Sequence, residues 1–385
     1  DKKNGVPIVY ATVGVEGTSI GSITNQAGEF RLHLADSLRR KSLVFSHVGY
    51  VAQKIDIPLL TAGQHFTLTL EPRIFPLQEV VIRVVHPIRL MREMLEKRMI
   101  NYSQKPVYFT TFYREGVQYK QKFRSLTEAV FKIYKSPVQS LYAREQVKLL
   151  KMSRITDGLE QDTLIARMSG GIDACLQLDI INHLPDFLLA DAHKDVYAYT
   201  SADVTIVGDH LVNVISFEQK KEVKEPLYCG ELYIDSDNGA LLQAQIRIHP
   251  RYMKQATDMV VQRQARRMKI VLQELTYTIS YKPWNGTYYI NHVRGDLHFK
   301  VKQKRQWLGS SSLHTWFEMV TCKIDTVGVT RFQRNERIPT RTVFADTHFK
   351  YDSDFWENFN VIPWEKQLVE VIEQLTSKIE KIEYE

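Results

Sequence analysis

A chain of 385 residues with 44% hydrophobic and 25% charged side chains has a globular composition, and its length allows two or three domains that each bury a core. The formal charge of +7 arises from 51 basic residues spread among 44 acids, which argues against the concentrated basic face of a nucleic-acid binder. No run of about eighteen apolar residues occurs, so no membrane-spanning helix is encoded.

Residues 6 to 85 read as short strands divided by turn residues. Val9, Ala11, Val13 and Val15 alternate on one face, Gly21 and Asn25-Gln26-Ala27-Gly28 mark turns, and Phe30-Arg31-Leu32 resumes a strand. Phe66, Leu68 and Leu70 alternate with Thr67 and Thr69, and Val80, Ile82 and Val84 close the set. Such spacing predicts a β-sandwich over residues 1–85. Pro87 then ends this period, and Ile88, Met91, Leu95 and Met99 fall at helical spacing, which predicts a helix over 88–100 and a domain boundary at 86.

From about residue 106 the two-residue period returns. Leu242, Ala244, Ile246 and Ile248 form one buried set, and Leu275, Tyr277, Ile279 and Tyr281 another, each alternating with polar residues as antiparallel strands do. Asp237-Asn238-Gly239 and Trp284-Asn285-Gly286 supply hairpin turns, so 231–248 and 274–302 are predicted hairpins. Two further helices are predicted at 172–183 and 363–382; the second carries Leu368, Val371, Ile372, Leu375, Ile379 and Ile382 on one stripe. The basic segment 251–269 is compatible with a helix or a loop. The expected fold is thus mostly β: a seven-stranded sandwich with a truncated first strand, then an antiparallel-sheet domain over 86–385 with a few helices.

Several turn motifs in the first domain occur in a familiar order. Val6-Pro7-Ile8-Val9-Tyr10-Ala11-Thr12-Val13, Thr24-Asn25-Gln26-Ala27-Gly28-Glu29-Phe30, Phe45-Ser46-His47-Val48-Gly49-Tyr50 and Leu77-Gln78-Glu79-Val80-Val81-Ile82 resemble the carboxypeptidase regulatory-like domain. The resemblance implies a transthyretin-like, non-catalytic sandwich of the kind found in Bacteroidetes-type envelope proteins, and hence export to the periplasm or outer membrane. The remainder carries Phe112-Tyr113-Arg114-Glu115, Gly230-Glu231-Leu232-Tyr233-Ile234-Asp235 and Phe355-Trp356-Glu357-Asn358-Phe359-Asn360-Val361-Ile362. It is similar to the chain that follows this module in a group of uncharacterised envelope proteins. Its helix-plus-meander pattern resembles the half-barrel of outer-membrane lipoprotein carriers.

Chemistry is sparse. None of the twelve histidines has Glu three positions on, so the zinc set of a metallocarboxypeptidase is missing, and no dinucleotide or phosphate-loop fingerprint occurs. Gly17-Thr18-Ser19-Ile20-Gly21 matches a nucleophile-elbow pattern but lies between two sandwich strands, where its glycines serve a turn. The three cysteines, Cys175, Cys229 and Cys322, are expected to be buried thiols. Paired acids such as Asp235 with Asp237 and Glu222 with Glu225 sit beside turns and read as solvated turn acids.

Lys300, Lys302 and Lys304 share one strand face, with Arg266 and Arg267 nearby in sequence. A solvated face is the plainer account of them, and a strip for an anionic glycolipid or glycan the sharper one. The sequence therefore predicts a non-catalytic envelope binding or scaffold protein, without cofactor or metal, whose partner is an envelope protein or such a glycan. The sandwich would position or dock the molecule, and the larger sheet would form a groove for an apolar or glycan ligand. The rival reading is a glycan hydrolase using carboxylates of the larger domain.

Overall fold

In the computed structural model the described residues are 1–60, 63, 65–73, 86–138, 145–156, 166–168, 171–189, 191–208, 210–264, 268–303, 309–340, 359, 362–364 and 369. Four short strands, β1 (Thr12–Val15), β2 (Gly21–Ile23), β3 (Ser42–Ser46) and β4 (Gln53–Asp56), make an antiparallel sheet in the order β2-β1-β3-β4. The alternation read from the sequence sets its core, since Val13, Val15, Leu43, Phe45, Ile57 and Leu70 pack together. Phe66 to Leu70 runs extended without joining a ladder. Its backbone is held instead by the Gln53 amide on Thr69 O (3.0 Å) and by Lys2 N on Leu70 O (2.9 Å). The strand expected at 80–84 lies outside the described residues.

Pro87 occupies the first turn of α1 (Pro87–Glu96), where its missing N–H costs nothing, and a short α2 (Arg98–Asn101) follows after Lys97. The predicted helix at 88–100 is therefore present but broken at Lys97. Ten strands then form one open antiparallel sheet. They are β5 (Val107–Tyr119), β6 (Lys122–Lys135), β7 (Gln146–Thr156), β9 (Tyr197–Val207), β10 (His210–Gln219), β11 (Tyr228–Asp235), β12 (Leu241–Ile248), β14 (Met268–Trp284), β15 (Thr287–Gln303) and β16 (Ser311–Asp325). The order is β7-β6-β5-β16-β15-β14-β12-β11-β10-β9, and the sheet does not close into a barrel; of its two outermost strands, β7 is bridged only at Val147 by Ile338 and β9 only at Val207 by Val48 among the described residues. Both predicted hairpins form, and Asn285 and Gly286 adopt the positive φ values (49° and 73°) that a tight turn between right-twisted strands requires.

Two expectations for the helices are corrected. The helix predicted at 172–183 is α3 (Gly171–Gln177) and stops early, because the Asp179 carboxylate is drawn to the buried Lys135 ammonium (2.9 Å) and the Tyr281 hydroxyl (3.0 Å). The described residues of the segment 251–269 form neither one helix nor a loop, 265–267 lying outside them. A short turn at Pro250–Tyr252 leads into α5 (Thr257–Val260) and β13 (Val261–Gln264), which pairs with β8 (Ala166–Met168). Tyr252, Met253, Ala256 and Val260 anchor it by burying themselves in the main core. A further helix, α4 (Ala192–Asp195), precedes β9. Of the helix predicted at 363–382, all but residues 363, 364 and 369 lies outside the described residues.

Opposed residues across an antiparallel pair share a face, which gives the large sheet two distinct sides. On one, Phe109, Tyr113, Phe131, Ile133, Ile279, Leu297 and Phe317 meet the apolar stripes of α1 and α3, forming the main core. On the other, Phe112, Val130, Val320 and Cys322 meet Ile23 of the sandwich and Ile362. The sandwich is also bonded there through Ser19 Oγ, which donates to Ile324 O (2.9 Å) and accepts from Ile324 N (3.0 Å). The helices thus cover one face and the sandwich sits on the other.

Candidate functional site

A cleft of about 390 Å³ opens on the helix side of the sheet, beside the outermost strand β9. Three residues of α1 (Ile88, Met91 and Leu95) form one wall. Leu188, Leu189 and Tyr199 form the other, and Arg92, Glu96 and His193 complete the lining. The first wall exists because α1 is amphipathic: Leu90, Met91 and Met94 turn into the core while the Arg89–Glu93 pair (3.3 Å) stays outside. Pro185 starts the short turn Asp186–Leu188 that builds the second. Phe187 of that turn stacks on Phe217 (centroids 4.2 Å, 17° between planes) and accepts a hydrogen bond from the Tyr199 hydroxyl at its carbonyl (2.6 Å). Burial pushes the Tyr199 hydroxyl above its ordinary pKa, so it stays a neutral donor. With Phe187 locked inward, Leu188 is buried and Leu189 is left 49% exposed at the mouth.

The chemical content of this lining is one carboxylate, one imidazole and one guanidinium around an apolar interior. Among the described residues the lining holds no second carboxylate for acid–base work on a glycoside and no hydroxyl or thiol nucleophile other than the bonded Tyr199 phenol. What it can do is take an apolar group out of water while polar side chains face the entrance.

Two further carboxylates are brought together away from this cleft. Lys135, buried on β6, holds Glu145 (2.7 Å) and Asp179 (2.9 Å) together, with His183 on Glu145 (3.0 Å). Burial would raise the Glu145 carboxyl, but Lys135 and His183 outweigh it and hold the group well below the usual range. This network ties the chain after α3 to the sheet, and none of its residues lines the cleft.

A longer charge row lies on the sandwich side. Glu128, Arg114, Glu318 and Arg294 stand directly opposite one another on β6, β5, β16 and β15. Arg114 reaches Glu128 (2.7 Å) and Glu318 (3.6 Å), and Arg294 reaches Glu318 (3.3 Å) and Asp296 (2.6 Å). Tyr10 of the sandwich covers it, its ring 5.3 Å from the Arg294 guanidinium and 4.9 Å from His292. Burial would raise Glu318, but His292 and the two guanidiniums hold it below its ordinary value; Asp296, opposed by burial and held by His314 and Arg294, falls to about 2. Desolvation pushes the other way on His292 and lowers it.

The residues singled out from the sequence are distributed differently. Lys300 and Lys302 are exposed on β15, Lys302 directly across from Lys269, and neither lines the cleft. Lys304, Arg266 and Arg267 lie outside the described residues. The reading of Asp235 as a solvated turn acid is corrected, because it is fully buried. Its Oδ1 accepts from Asp237 N (2.8 Å), shaping the turn after β11, and its Oδ2 meets His210 Nδ1 (2.9 Å). His210, Asp235 and Asp237 would place three ligand atoms within 4.8 Å of one another, yet both Asp235 oxygens are already engaged by the turn and the imidazole. Glu222 and Glu225 are exposed as read, and all three cysteines are buried. Burial pushes the Cys322 thiol up to about 11, away from reactivity. Sequence reasoning missed Leu188, Leu189, His193 and Tyr199; the signal was the apolar run Phe187-Leu188-Leu189 just after Pro185.

No curated protein matches the chain significantly. Among solved structures, a domain of an outer membrane lipoprotein-sorting protein from Vibrio parahaemolyticus aligns over 64% of this chain and 95% of its own, with 9% identity and a TM-score of 0.27. A DUF1329 family protein from Desulfovibrio piger aligns over 64% and 96%, with 11% identity and a TM-score of 0.27. A LolA superfamily protein from Nitrosomonas europaea aligns over 62% and 94%, with 9% identity and a TM-score of 0.22. Scores this low lend no weight to a function. The sequence of the sandwich is more specific: residues 1–82 match the family model of the CarboxypepD_reg-like domain, which the order of its turn motifs had already pointed to.

Proposed function

We propose that the protein is a non-catalytic binding protein of the bacterial cell envelope that takes an apolar chain, such as the acyl chain of a lipid, into the cleft between α1 and the Asp186–Leu188 turn. The observation that carries this reading is the lining, in which Ile88, Met91, Leu95, Leu188 and Leu189 enclose the space and a single carboxylate, Glu96, accompanies them. The hydrolase reading is disfavoured because Glu145 and Asp179 are both engaged by one buried ammonium and neither lines the cleft. An envelope location is part of the proposal; among the described residues no helix is long and apolar enough to cross a membrane. The test is a titration with a fluorescent long-chain fatty acid. Saturable binding that weakens about tenfold or more in Leu189→Asp, which puts a charge at the mouth, supports the reading. Absent binding, or binding indifferent to this substitution, contradicts it.

A second, surface reading rests on Lys302 standing opposite Lys269, since like charges directly across a strand pair repel unless an anion lies between them. We propose this strip, including Lys300, as a contact for an anionic glycolipid headgroup. Binding to lipid A vesicles that is indifferent to salt or to Lys302→Glu would return it to a solvated face.

A further inference from the structure

A second groove, of about 560 Å³, lies where the sandwich meets the end of the large sheet. It is lined from both parts of the chain. The β1–β2 turn supplies Thr18 to Ile20, and β5, β6, the β14–β15 hairpin and the turn after β16 supply the rest. Neither part alone would enclose it.

Its charge is uneven in a way that calls for an anion. Lys148, Lys132, Thr110 and Lys323 stand in one row across β7, β6, β5 and β16. The outer two lysines are neutralised, Lys148 by Glu336 (2.8 Å) and Lys323 by Asp325 (2.7 Å). Lys132 has no carboxylate partner among the described residues; its ammonium instead lies 4.4 Å from the centroid of the Tyr108 ring, and it lines the groove. An ammonium beside an aromatic face between two satisfied ion pairs remains available to a ligand oxygen.

The rest of the lining is suited to a polyhydroxylated ring. Trp284 supplies aromatic surface, and Ile20 and Val327 apolar surface, on which the C–H face of a sugar can lie, while the Tyr108 ring is already taken up by Phe332 stacked on it (5.3 Å) and by Lys132. The Asn285 amide and the Thr326 hydroxyl make no hydrogen bond to the protein among the described residues, which leaves donors and acceptors beside that surface. Asn285 is held in place by its hairpin turn at positive φ, so its amide is presented from a rigid element. By contrast the Ser19 hydroxyl is consumed by Ile324 and serves to fix the wall.

We propose that this groove binds an acidic sugar, with Trp284 beneath the ring, Asn285 and Thr326 on its hydroxyls, and Lys132 on its carboxylate or phosphate. The site is separate from the apolar cleft and does not depend on it. The experiment is calorimetric titration of the full chain with trigalacturonate, glucose 6-phosphate and neutral maltotriose at low salt. Binding of either acidic sugar but not of maltotriose, weakened about tenfold in Lys132→Gln and unchanged in Leu189→Asp, is the expected result. The two acidic probes distinguish a carboxylate from a phosphate ligand. Should Lys132→Gln fold poorly, the wild-type salt dependence replaces it, since affinity must fall as salt rises. Binding of neither acidic sugar, equal binding of maltotriose, or indifference to Lys132→Gln or to salt overturns the proposal.

Discussion

Arg114 shows how much one side chain can organise. It is 3% exposed, pairs with Glu128 and Glu318 on neighbouring strands, and donates to the carbonyl of Ile362. Removing one member of a buried charge network leaves the others desolvated and unpaired, so Arg114→Leu should cost about 3–5 kcal/mol in denaturant unfolding. A cost under about 1 kcal/mol, typical of exposed pairs, would mean that the row is hydrated. His292 in the same layer is buried, its Nε2 3.8 Å from the Glu318 carboxylate and beyond hydrogen-bond distance. Its pKa is lowered, so below its ordinary value near 6.5 the unfolded chain takes up a proton that the folded chain refuses. Stability is therefore complete above about pH 7 and falls as pH drops below about 6.5. Asp296 and Glu318, both lowered, add a second loss below about pH 4. His292→Gln should flatten the unfolding free energy between pH 5 and 7; an unchanged slope would place the titration elsewhere.

At the scale of elements, what was legible and what was not divides by sequence distance. Hairpins β11–β12 and β14–β15 were readable because Asp-Asn-Gly and Trp-Asn-Gly announce turns and the flanking alternation fixes the buried face. Helix α1 was readable from its period and Pro87. The charge row was not, because pairing Glu128 with Arg114 and then with Glu318 requires knowing that β16 returns beside β5, some two hundred residues later. The cleft was hidden for the same reason, since α1 meets residues 188–199 only through the fold. Gly230 offers an element-level test. A Cβ there would lie 1.9 Å from the carbonyl oxygen of Gln245 on β12, a backbone atom that cannot move without breaking the ladder. Gly230→Ala should therefore destabilise the protein by about 3 kcal/mol, measured by thermal or urea unfolding. A wild-type melting temperature would show that β11 and β12 are not so closely paired.

Over the whole molecule, two layers lie on opposite faces of one sheet and serve different ends. The helices of residues 86–385 complete the large core and shape the cleft, while the sandwich covers charges and the Phe112–Val130–Val320 patch. Because the main core uses none of the described residues of 1–85, we propose that 86–385 folds alone and unfolds cooperatively, but less stably, with the charge row and patch opened to water. A molten product would mean that the sandwich is integral to the sheet. Ligand uptake by the apolar cleft is tested most sharply by the methyl NMR spectrum of the intact chain during titration with a saturated fatty acid. Shifts should be confined to the methyl groups of Ile88, Met91, Leu95, Leu188 and Leu189, with those of Leu59 and Leu211, exposed elsewhere, unmoved. No shifts, or shifts spread over exposed methyl groups alike, would contradict it.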